Sequence, residues 1–115
     1  MDFLSTIQAL LDPLAPGGAY YGEVPSVPTQ PWITWQRIVS GAVATLEGAS
    51  TTQGTHTQID IHAPRIGDAE AIRKAVDAAL DALGGCIPLT STDTWEPVVK
   101  HWRITSEYSI WFTES

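Results

Sequence analysis

Across a single proline, the hydrophobic period of this chain changes from two to 3.6. Before Pro64, the run Thr55 to Ala63 alternates: Thr57, Ile59, Ile61 and Ala63 point one way, and His56, Gln58, Asp60 and His62 the other. After it, Ile72, Val76, Ala79, Leu80 and Leu83 make one stripe at i, i+4, i+7, i+8 and i+11. Asp68 stands where an N-cap is needed, Glu70 and Lys74 at i and i+4, and Gly84 and Gly85 where the helix must end. A half-buried strand feeding an amphipathic helix commits the chain to a sheet with helices laid on it.

The remaining segments fit that plan. Phe3, Ile7, Leu10 and Leu14 recur at helical spacing, and Pro13 stops the helix near Leu11 or Asp12. Pro25, Pro28 and Pro31 exclude a central strand from residues 19–31 and leave room for a short edge strand around Tyr20 to Glu23. Trp32 to Val39 is β-branched and aromatic, which predicts a strand. Cys86 to Leu89 reads as a short strand, Thr90 to Pro97 as a polar loop, and Lys100 to Thr113 as a long alternating strand. In that last strand Trp102, Ile104, Tyr108, Ile110 and Phe112 share one face, with Trp111 the apolar exception on the other. Between the first two main strands, residues 41–54 are small and polar without a period, which predicts a flexible loop. The expected fold is α+β: one domain over residues 1–115, with an antiparallel or mixed sheet of about four strands and two helices packed on one face.

Charge and cysteine content narrow the function. Six Lys and Arg against thirteen Asp and Glu leave a net charge of −7. Such a chain lacks the clustered cations that displace counterions from phosphates, so neither a nucleic-acid-binding surface nor a polybasic membrane patch is expected. No apolar run approaches the ~18 residues of a membrane-spanning helix, and no basic stretch precedes the first apolar residues. The single Cys86 cannot close an internal disulfide. The reading is a soluble chain that folds in a reducing cytoplasm.

Catalytic patterns are absent. Neither glycine pair is a phosphate loop, no G-x-S-x-G occurs, and Cys86 has no neighbouring base in sequence, so a small half-buried thiol is its plain reading. His56, Asp60 and His62 share a strand face, but six residues separate the two histidines, roughly 20 Å. Zinc bonds of about 2 Å cannot span that distance. No metal, cofactor or catalytic residue is therefore expected, and His56, Gln58, Asp60 and His62 form a polar face that is solvated or meets another subunit.

Five tryptophans in so short a chain need explaining. Adjacent strand positions face opposite ways, so Trp32 and Trp35 lie on different faces, as do Trp111 and its neighbours. Two helices cover one face only. Trp35 or Trp32, whichever faces away from the helices, and Trp111 are expected at a subunit contact. In the 41–54 stretch, Val43, Leu46 and Glu47 are the candidate docking residues.

Four segments, in order, resemble the tail terminator or tail-completion proteins of long-tailed bacteriophages and gene transfer agents. They are an N-terminal helix before a Pro-rich stretch, the strand PWITWQRIVSG, the unit TQIDIHAPRIGDAEAIRKAVDAALDAL, and the terminal strand HWRITSEYSIWF. The resemblance implies a structural virion protein, not an enzyme. It implies a hexameric ring of this chain on the last ring of the tail tube, halting elongation and presenting a surface to the head. Its implied partners are further copies of itself, the major tail tube protein and a head-completion or connector protein, with DNA passing unread through the lumen. Its implied place is the virion tail at the head–tail junction, after assembly in the host cytoplasm. The alternatives are another head–tail connector or minor tail protein of the same particle, and a small ligand-binding or enzymatic α+β domain using His62 and Asp60.

Overall fold

The computed structural model describes residues 3–45 and 48–113, with side chains described for 3–38 and 55–111. The candidate docking residues Leu46 and Glu47, and the side chain of Val43, lie outside what it describes. The chain forms α1 (Phe3–Leu11), a 3-10 turn (Asp12–Leu14), β1 (Ala19–Tyr21), β2 (Trp32–Thr45), β3 (Gly48–Ala63), α2 (Ile66–Leu83), β4 (Cys86–Glu96) and β5 (His101–Thr113). The strands make one sheet in the order β1-β2-β3-β5-β4, with β1 parallel to β2 and every other pair antiparallel. The fold is the α+β arrangement expected, with five strands in place of about four.

The core lies between the two helices and one sheet face. Ile33, Ile61 and Ile104 stand in one row across β2, β3 and β5, and all three are buried. Trp35, Ile59, Tyr108 and Ile110 extend that layer, and Phe3, Ile7 and Leu11 of α1 with Ala69, Ile72, Val76 and Leu80 of α2 close it. Burying each large apolar side chain stabilises the fold by roughly 1.5–3 kcal/mol. The buried stripe of α1 runs through Phe3, Ile7 and Leu11, with Leu10 and Leu14 packed at its margin. Pro13 turns the chain into the 3-10 segment, where Asp12 Oδ1 accepts the Ala19 N–H at 3.0 Å.

Three local expectations change. First, α2 begins at Ile66, and its cap position is Arg65, which makes no side-chain capping bond; Asp68 sits in the first turn instead, where its charge still favours the helix dipole. The helix ends as expected at Gly84, whose φ of 75° suits glycine and whose N–H reaches Asp81 O at 3.1 Å. Second, the expected loop at 41–54 is strand on both sides. β2 runs to Thr45 and β3 starts at Gly48, with Gly41 opposite Gly54 and Thr45 opposite Gly48. Third, β4 continues through the expected 90–97 loop to Glu96, each residue from Thr90 to Glu96 facing one of β5. β4 carries no alternating apolar signal because neither of its faces is covered: from Ile87 to Asp93 every residue is exposed.

Candidate functional site

Period two places Trp32, Thr34 and Gln36 of β2 on the sheet face away from the helices. They stand beside His62, Asp60 and Gln58 of β3, which face Arg103, Thr105 and Glu107 of β5. The four polar residues expected to share a face do so. At one end of it, the Trp32 indole lies flat on His62, with ring centres 4.6 Å apart and planes 7° apart. His101 meets both rings edge-on, at 5.0 Å from Trp32 and 5.6 Å from His62. His62 Nε2 is 2.9 Å from the Thr34 hydroxyl. Burial lowers the His62 pKa to about 4, with His101 and Arg103 adding to the effect and Asp60 opposing it, so the ring is neutral at pH 7.

The middle of this face ties its own charges together. Gln58 Nε2 donates to Asp60 Oδ2 at 3.0 Å, Thr90 donates to Glu107 Oε2 at 3.0 Å, and Arg103 Nη2 pairs with Glu96 Oε1 at 3.1 Å. His56 Nε2 lies 2.8 Å from Glu107 Oε1, at ion-pair distance but off the line of a hydrogen bond. Among the described residues no three His, Cys, Asp or Glu side chains converge as metal ligands. Much of this face's polarity is paired within it, while Trp32 Nε1, Asp60 Oδ1 and Arg103 Nε are buried there without a hydrogen-bond partner among the described residues.

The tryptophans divide as alternation requires. Trp35 faces the helices at 1% exposure, its Nε1 donating to Gln8 Oε1 at 2.8 Å and its ring edge-on to Phe3 and Tyr21. The core accounts for Trp35 in full, so it is removed from the candidate contact. Trp32 faces away from the helices as one of the pair had to, but His62 and His101 already cover it to 6% exposure. Trp111 is 39% exposed and remains available.

Sequence reading missed where the exposed apolar groups gather. Ile87, Leu89 and Trp95 on β4 are exposed, as are Val98 and Val99 in the turn that follows, Val98 at 93%. Tyr21 and Ile38 are exposed at the opposite sheet edge. One signal was legible: two valines occupy a hairpin turn, where Gly, Asn and Asp are the usual residues. Beneath β4, a cavity of about 190 Å³ opens between the strand and α2, bounded by Arg73, Asp77, Leu89, Ser106 and Tyr108. The Tyr108 hydroxyl donates to Asp77 in a short hydrogen bond, and Arg73 holds both Asp77 and Glu70 at 2.6 Å. Burial, with Asp77 beside it, raises the Tyr108 pKa well above its usual value. Burial, then Asp77 and Asp81, push the Cys86 thiol up to about 11, which leaves it a poor nucleophile. No helix among the described residues is long and apolar enough to cross a membrane.

The family model described as Tail completion protein gp17 matches residues 4–113 of this chain. Among solved structures, the chain is similar in fold to a chain of the virion of a native gene transfer agent particle. The two share 18% identity with a TM-score of 0.66, over 92% of this chain and 86% of that one. No curated protein matches the chain.

Proposed function

Because the chain belongs to the tail completion protein gp17 family, and is thus a structural tail protein and not an enzyme, we propose that it is the terminator of a virion tail. Copies of it form a ring, a hexamer by the family resemblance, on the last ring of the tail tube. The ring stops tube growth and offers its far surface to a head-completion or connector protein at the head–tail junction. DNA passes through the lumen.

The observation that carries this reading is the pair of exposed apolar edges. Ile87 and Leu89 on one side of the sheet, and Tyr21 and Ile38 on the other, give each subunit something to hide on both flanks. A contact between unlike flanks is heterologous and closes into a ring when the rotation per copy divides the circle. The net charge of −7 suits a conduit that DNA slides through without binding. The β2–β3 pair beyond Ser40 and Thr55 and the exposed Trp111 near its base are the docking elements for tube or head, with Val43, Leu46 and Glu47 the candidate residues of the 41–54 stretch. The polar residues His56, Gln58, Asp60 and His62 serve the ring as wall and not as contact.

Sedimentation across a concentration series, with negative-stain images of the protein alone and mixed with tail tubes, tests this. Rings that cap tubes are expected. A chain that stays monomeric with tubes present contradicts the ring, and caps without an effect on tube length favour another connector or minor tail protein.

A further inference from the structure

Axial height can be followed across the sheet from strand to strand. The ladders set Arg37 opposite Thr57, Thr57 opposite Tyr108, and Tyr108 opposite Pro88. The bulge in β2 falls between Arg37 and Val39, and that in β4 between Pro88 and Thr90. The two bulged residues, Ile38 and Leu89, therefore flank that row from opposite sides, about one residue (~3.4 Å) apart in height on opposite flanks of the molecule. Both are apolar and exposed, at 44% and 47%. β1 shields β2 only as far as Trp35, and the Tyr21 hydroxyl then accepts the Arg37 N–H at 3.4 Å. β2 and β4 run in opposite directions, so two copies standing side by side in the same orientation bring them together antiparallel.

Charge matches at that height too. Arg37 is exposed, its guanidinium 6.0 Å from the Phe3 ring centre on the helix side of the sheet, with no acidic partner of its own among the described residues. On the helix side of β4, Asp81 lines a groove against Pro88 together with Lys74 and with Asp77, whose carboxylate already holds Arg73 and the Tyr108 hydroxyl. A closed ring has rotation but no rise, so features meet only when their heights agree to within a side chain's reach. We propose that neighbouring copies of this chain meet flank to flank, Ile38 of one copy packing against Leu89 of the next, while Arg37 of the first pairs with Asp81 of the second. The contact is made by side chains. Pro88 has no N–H to give, and a bulge interrupts each edge, so the ladder does not continue from copy to copy and the edges are guarded against uncontrolled pairing.

This contact rests on the ring reading, and two measurements keep the two apart. In a chain carrying Cys86→Ser, the pair Ile38→Cys and Leu89→Cys is oxidised within assembled rings. The expected result is a non-reducing gel ladder that ends at the ring's copy number, with neither single variant giving one. Rings seen by native mass spectrometry without any ladder overturn the contact and leave the ring standing, whereas a wild-type chain that forms no ring overturns the ring reading itself. Independently, Arg37→Glu is expected to lower ring formation at least tenfold at fixed concentration while the melting temperature is kept. Adding Asp81→Lys is expected to restore it. Ring yields unchanged by Arg37→Glu, or not recovered by the second substitution, contradict the charge pairing.

Discussion

His62 spends its hydrogen-bonding capacity on Thr34 and its ring face on Trp32, and the burial that follows keeps it neutral. Its folded pKa of about 4 lies below the unfolded value of 6.5, so between those values the unfolded chain binds the extra proton. Stability from this site is complete above pH 6.5 and falls as the pH drops toward 4. Urea unfolding across that window should show the decline, and His62→Gln should flatten it. Trp35 is the opposite case, a residue explained by the core alone. Trp35→Ala should cost about 3–5 kcal/mol in the same assay, while Trp111→Ser should stay within about 1 kcal/mol of wild type. Tyr108→Phe removes a buried donor to Asp77 but leaves Arg73 on that carboxylate, so a loss of about 1–2 kcal/mol is expected. Sequence alone separates Trp32 from Trp35 by face but cannot say which face the helices choose. That choice is made by Phe3 and Gln8 of α1, which are distant in the chain and carry no mark of their partner.

Elements were legible where burial imposes a period. β3 and α2 bury one face each, and their apolar residues fall at two and 3.6 as the structure has them. β4 leaves every residue from Ile87 to Asp93 exposed, so it shows no alternation and reads as loop, as do the small polar residues 41–54. What makes them strands is the ladder each shares with a neighbour, an interaction of backbone groups that side-chain patterning does not record. The cap of α2 stands three residues before the expected Asp68, which is chemically the better cap, because the chain after Pro64 enters the helix from Arg65. Removing Ala44 to Thr52 should leave thermal stability within about 1 kcal/mol, since shortening a connection changes closure entropy little. The same deletion is expected to slow the joining of tails to heads. Joining at the wild-type rate would take this stretch out of the mechanism.

On the scale of the molecule, two helices suffice for one side of a 52 Å long subunit, and what they leave uncovered is mostly polar and paired within itself. The expected need for a partner over the whole second face therefore shrinks to Trp111 and the two flanks. In the proposed ring the tasks would be separate: the apolar flanks would hold copies together, and a chain of net charge −7 would let DNA pass. Trp111→Ser should accordingly give folded subunits whose tails are overlong or unjoined. The most direct test of termination is the length distribution of tails assembled with and without this chain, read by electron microscopy. The account predicts one defined length with it and a broad tail of overlong tubes without it; identical distributions would contradict it.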